Sequence, residues 1–215
     1  ALGSAQGRRV VVLLPGSEIT LAEPELPVRG SARIAQAVPF ALEEQLASDV
    51  EALHFAVGAR PPGAVGTPVA VVSRSTLERW LAQCDAAGLE LSAAYADTAA
   101  VPTAGAGCTL LLDGSQLYVR RPDSLPYLLD AEPLDAALDL ALPGPAAEGE
   151  TGEHVTFYTS TAEYERQREL IEGLRSRTAT LQVKLLPDGP LPLLATQAVN
   201  GAGVNLLQGP YAPRS

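Results

Sequence analysis

Sulfur and imidazole are scarce in this chain, whose 215 residues include two cysteines, two histidines and no methionine. Cys84 and Cys108 are too few and too isolated for a disulfide framework or a zinc cluster, and both fall on apolar faces of predicted elements. That usage fits a reducing cytosol. His54 and His154 lie far apart in sequence, each inside a strand pattern where alternation allows either face, and neither has a second ligand at metal-binding spacing. No metal site is expected. No Gly-x-Ser-x-Gly elbow accompanies either histidine, so serine-hydrolase chemistry has no support. No apolar run reaches the ~18 residues needed to span a bilayer, and no basic-then-apolar opening marks a secretory signal. Basic residues are outnumbered 15 to 25, giving a formal charge of -10. Such a surface repels phosphate backbones and anionic headgroups, which excludes nucleic acid as a partner class. The first residues carry no initiator methionine and run through Arg8-Arg9 straight into a strand, so the chain is expected to begin inside a larger gene product.

What is present is a core-forming, mixed α/β pattern, with 47% hydrophobic residues. Val10 to Leu14 is a continuous β-branched and aliphatic run ended by Pro15-Gly16, the pattern of a strand buried on both faces. Glu18 to Leu26 partly alternates, but Pro24 and Pro27 cannot donate to a ladder, so this strand should lie at an edge and can pair with the first as a hairpin. Ile34, Val38, Leu42 and Leu46 form a helical stripe from Ser31 onward, with a kink or restart expected at Pro39. Strands follow at Leu53 to Val57 and Val69 to Val72. Ser75 and Glu78 have capping-box spacing at the head of a helix that Gly88 closes, and with a strand over Leu89 to Ala93 this predicts a βαβ-like unit. Asp113-Gly114 between two apolar runs is the strongest hairpin signal in the chain. A short helix over Pro133 to Leu142, a strand over His154 to Tyr158, a helix capped by Ser160, and a strand over Leu181 to Leu185 complete the pattern. The segment from Asn200 onward is too rich in Gly and Asn for regular structure.

Two features could carry chemistry. Glu43, Glu44, Asp49 and Glu51 concentrate acid, but adjacent carboxylates on a helix point about 100° apart and do not share a proton. They are either a solvated face or a surface for a partner bearing Arg or Lys. Pro39, Phe40, Leu42 and Leu46 beside them read as packing a helix onto the sheet. Gly105-Ala-Gly107 precedes a strand and has the look of a phosphate-cradling loop. A hairpin follows where a P-loop or Rossmann motif needs a helix, and Gly-Lys-Ser/Thr is missing, so a plain turn is the alternative.

Three strings then carry a resemblance: Leu14-Pro-Gly-Ser-Glu-Ile-Thr-Leu21, Val38-Pro-Phe-Ala-Leu-Glu-Glu-Gln-Leu-Ala-Ser-Asp-Val-Glu-Ala-Leu-His-Phe55, and Val204-Asn-Leu-Leu-Gln-Gly-Pro-Tyr211. In this order they resemble the cytosolic region of the type II secretion L proteins (GspL family). The resemblance implies an actin-like (ASKHA-type) α/β fold akin to the pilus-assembly M proteins, with two similar RNase H-like subdomains around a cleft. On that reading residues 8–101 form the first subdomain, lacking the family's N-terminal β segment. Residues 102–199 form the second, and 200–215 a tail leading toward a transmembrane helix. It implies a scaffold on the cytoplasmic face of the bacterial inner membrane. That scaffold recruits the secretion ATPase (E component) by its N-terminal domain and couples it to the platform proteins M, F and C. Homodimerisation is left open. No enzymatic activity and no cofactor are implied. In nucleotide-hydrolysing relatives an acidic residue in the second phosphate loop positions hydrated magnesium, whereas Thr103 to Thr109 has glycines and no carboxylate. Thr159-Ser160 also stands where those relatives have Gly-Gly. The alternative is a nucleotide-binding actin-like assembly switch that does not hydrolyse.

Overall fold

The apolar run after Arg9 forms β1 (Val10–Leu14), but its partner lies far along the chain. In the computed structural model, which describes residues 9–27, 30–143, 152–201 and 203–213, β1 pairs in parallel with β5 (Leu91–Ala96). No hairpin joins β1 to β2 (Ile19–Ala22). A 3-10 turn at Gly16–Glu18 redirects the chain, and the Asp97 carboxylate at the end of β5 accepts the Gly16 N–H at 2.8 Å. Instead, β2 forms the edge of an antiparallel sheet of order β2-β4-β3, with β4 (Val69–Ser73) central and β3 (Leu53–Val57) opposite. β2 stops at Ala22, before the prolines that cannot donate to a ladder.

The chain divides into two units, Ala1–Ala99 with Ala198–Ser215, and Ala100–Gln197. In unit 1, α1 (Ser31–Leu42) covers one face of the three-stranded sheet, where Val38 and Leu42 meet Leu53, Val69 and Val71. The other face, through Ala56, Ala70 and Val72, joins Leu14, Leu77 and Ala94 in a second cluster. Helix α1 runs through Pro39 without a break. The proline removes one N–H near the helix end, and the carbonyl it orphans, Ala35, belongs to an exposed residue that water can satisfy. Helix α2 (Arg74–Ala86) starts two residues before the expected box, since Ser73 is the cap and its hydroxyl accepts from Thr76 N–H at 3.1 Å. Strands β4 and β5, on either side of α2, lie in different sheets, so the expected βαβ unit does not form. Both edges of β4 are already taken by β2 and β3.

Unit 2 has one sheet of order β10-β9-β6-β7-β8. Strands β6 (Cys108–Asp113), β7 (Gln116–Arg120) and β8 (Tyr127–Asp130) form an antiparallel meander, and β9 (His154–Ser160) and β10 (Thr180–Leu186) extend it in parallel from β6. This is the RNase H-like strand arrangement. The hairpin turn is Gly114-Ser115, one residue later than expected, because Asp113 still pairs with Gln116. Gly114 has φ +57° and no other residue type in the described chain takes positive φ, the backbone pattern of a type II′ turn. Helices α3 (Leu134–Ala141) and α4 (Thr161–Gly173) put Leu138 and Ile171 against Leu110 and Phe157 in a core closed to solvent. Ser160 caps α4 as expected, accepting from Glu163 N–H at 3.1 Å. A fifth helix, α5 (Leu191–Val199), follows the turn after β10.

The irregular segment expected as a tail belongs to unit 1. Among its described residues, Val204, Leu206 and Leu207 are buried with Leu14 and Leu77, and its only regular element is a 3-10 turn at Gly209–Tyr211.

Candidate docking surface

The residues with strong chemistry are spread over both units. His154 is exposed at the start of β9, with Nδ1 2.8 Å from the Thr180 hydroxyl. Cys84 and Cys108 are free and buried, and burial pushes the Cys108 thiol up to about 12, leaving it protonated and unreactive. Among the described residues no group of three or more His, Cys, Asp or Glu could hold a metal.

The glycine loop before β6 is a tight turn, in which Gly107 N–H donates to the Ala104 carbonyl at 2.9 Å. An added Cβ at Gly107 would lie 2.3 Å from the His154 carbonyl oxygen, so the glycine admits β9 against β6. Strand approach accounts for Gly107 without a phosphate.

The acidic segment follows α1. Glu43 and Glu44 lie in a 3-10 turn, Glu43–Gln45, and Glu51 in another, Val50–Ala52, which Asp49 caps by accepting Glu51 N–H at 3.1 Å. All four carboxylates are exposed, and none is in an ion pair among the described residues. Of the neighbouring apolar residues, Leu42 is buried and Pro39 and Leu46 are half-buried, but Phe40 is 79% exposed and does not pack on the sheet. The helical period explains this: Ile34, Val38 and Leu42 share the inward stripe, and a residue two positions from both Val38 and Leu42 points about 200° away.

Residues 204–211 form a strap stitched to β5 and β3 of unit 1. Leu206 N–H donates to the Ala94 carbonyl on β5 at 2.8 Å, and Asn205 Oδ1 accepts from Ala94 N–H at 3.0 Å. The Gln208 amide imitates a strand on β3, accepting Val57 N–H at 3.0 Å and donating to the Val57 carbonyl at 2.9 Å. His54, 5% exposed, reaches the Leu206 carbonyl from Nε2 at 2.8 Å, with Tyr211 edge-on at 4.8 Å. A carbonyl accepts only, so His54 carries its proton on Nε2.

Burial holds His54 below the usual imidazole value, against the opposing pull of the Leu206 carbonyl. The unfolded chain therefore takes up the proton first. The stability His54 contributes is intact above about pH 6.5 and declines as pH falls below it, by up to about 1.4 kcal/mol per pH unit. Glu18 and Glu172, held below the usual carboxylate range by hydrogen bonds from Trp80 and Arg175, lose their contributions only below about pH 4.5. Urea unfolding at pH 7.5 and pH 5.5 should show a steeper loss for the native chain than for His54→Gln. Equal losses would mean that His54 titrates normally.

A family model for protein L of the type II secretion system matches residues 2–214. The chain belongs to the type II secretion system protein L family. It is 34% identical over 202 residues to the protein L of Pectobacterium carotovorum, covering 94% of this chain and 44% of that protein. Against the protein L of Pseudomonas aeruginosa it is 38% identical over 93 residues, covering 43% and 24%. This protein L chain thus spans less than half the length of these relatives. Among solved structures it matches the cytoplasmic domain of EpsL, an inner membrane component of the type II secretion system of Vibrio cholerae. The TM-score is 0.72 at 26% identity, with 98% of this chain and 82% of that chain covered. The fold is the actin-like α/β fold of that domain. Among the described residues no helix is long and apolar enough to cross a membrane.

Proposed function

We propose that this protein L chain is a non-catalytic docking module on the cytoplasmic face of the bacterial inner membrane. It recruits the N-terminal domain of the secretion ATPase (E component) and couples it to the platform proteins M, F and C. The observation that supports this reading is the exposed segment after α1. There an outward Phe40 stands beside Glu43 and Glu44, with Asp49 and Glu51 a few residues on. A large aromatic held in water by a helix is a contact anchor when a partner covers it, and the surrounding unpaired carboxylates select a partner surface bearing Arg or Lys. These groups sit on the surface and support little of the core, so their substitution should separate binding from folding.

The double reversal Glu43→Lys/Glu44→Lys is expected to weaken capture of the ATPase's N-terminal domain about 10-fold, and Phe40→Ala by a similar factor, with unfolding midpoints unchanged. Titration of purified domains reads both. Unaltered affinity in both variants would remove the segment from the interface.

A further inference from the structure

Strand β3 is an edge strand, and only part of that edge is occupied. The Gln208 amide takes the N–H and C=O of Val57, which therefore point away from β4. Main-chain groups alternate in direction with period two along an antiparallel strand, so those of Phe55 also point outward, while His54 and Ala56 bond to β4. No described residue bonds the Phe55 main chain on that side. The edge forms the floor of a groove of about 820 Å³, walled by Ile34 and Pro39 of α1 on one side and by Gln208 to Pro210 on the other. Although the whole chain carries a charge of -10, the groove's charged lining consists of Arg60 and Arg74, with no carboxylate. Arg74 lies at the Leu53 end of the strand, donating to the Glu51 carbonyl at 3.1 Å, and Arg60 lies beyond the Val57 end, donating to the Thr67 hydroxyl at 2.6 Å. Neither forms an ion pair among the described residues.

We infer that this groove docks an extended, acidic segment of a partner polypeptide, which adds to β3 as a fourth strand of the sheet. Backbone pairing at Phe55 supplies the register, as Gln208 already does in miniature at Val57, and the two arginines bracket the added strand. Their places at the two ends of the five-residue β3 call for carboxylates toward both ends of the added segment. The groove thus differs in chemistry from the acidic segment after α1, since it takes acid where that segment takes base.

The test has two arms. In amide hydrogen exchange on the free chain, Phe55 should exchange quickly while His54 and Ala56 are protected; protection of Phe55 in the free chain would overturn the proposal. In the second arm the probe is an acetylated, amidated nonapeptide of alternating threonine and valine with glutamates at its second and eighth positions. It should shift the Phe55 amide resonance and slow its exchange, and the counterpart with lysines there should bind about 10-fold more weakly. The double variant Arg60→Glu/Arg74→Glu should reverse that preference, and Arg60→Gln/Arg74→Gln should abolish it without disturbing the Ala94 and Leu206 amide resonances. No Phe55 perturbation at millimolar peptide, or equal binding of the two peptides, would rule the site out.

Discussion

Replacing Leu206 with alanine is expected to destabilise unit 1 by about 3 kcal/mol, within the range for large-to-small changes in closed cores. The position looks unpromising in one dimension, since Asn200 to Tyr211 is dense in Gly and Asn and has no periodicity. In the fold Leu206 is 0% exposed and packs with Leu14, Ile19, Ala56 and Leu77, while its own N–H and C=O are taken by Ala94 and His54. Truncation leaves a cavity that neighbours on β5 and β3 cannot close, because their backbones are held by sheet pairing. The measurement is urea unfolding followed by Trp80, the single tryptophan, which packs against this same cluster. The midpoint should fall by about 1 to 2 M urea. A shift under about 0.3 M would show that the strap is not docked in solution.

Gly107→Ala should cost unit 2 about 2 to 3 kcal/mol, because the new methyl would meet the His154 carbonyl oxygen at 2.3 Å and the His154 Cβ at 3.0 Å. Both neighbours are fixed by the β6–β9 ladder, so relief requires parting the two strands. Gly105→Ala makes the informative contrast. Its Cβ would meet nothing within 4 Å, but its φ of +54° is strained for alanine, which costs about 1 to 2 kcal/mol. If Gly107 served only a flexible phosphate loop, Gly107→Ala would cost no more than Gly105→Ala. Far-UV circular dichroism on melting decides this, and a smaller loss for Gly107→Ala than for Gly105→Ala would refute strand approach as its reason.

Local chemistry was largely legible where it was self-contained, although the Ser75 and Glu78 box fell two residues past the true cap at Ser73. The Ser160 cap, the edge position of β2 ahead of Pro24, and the hairpin at Gly114 each depend on residues within a few positions of one another, and each appears in the fold. The partner of β1 was not legible. A continuous apolar run says that both faces are buried but not which strand lies beside it, and β5 comes only after three intervening elements of sheet. The restart allowed for at Pro39 does not occur, because a missing N–H near a helix end costs little when the orphaned carbonyl faces water. Phe40 shows the opposite failure. Its hydrophobicity suggested packing, although its two-residue offset from Val38 and Leu42 already placed it on the outer face. The Gln208 clamp on Val57 and the groove beside it carry no sequence signal, since a side-chain amide pairing with a distant strand depends on the assembled sheet.

Unit 1 draws on both ends of the described chain, and the whole of unit 2 is inserted between them. On a ribosome the inserted unit is therefore completed first, although it comes second in the message. The strands and helices up to residue 99 must wait, with the surface later covered by Val204, Leu206 and Leu207 still open to water, until the strap emerges. At translation rates of about 5 to 20 residues per second that interval is roughly 6 to 20 seconds. Over that period the nascent first half presents an unfinished apolar face, and residues 204–211 act as the latch that closes it.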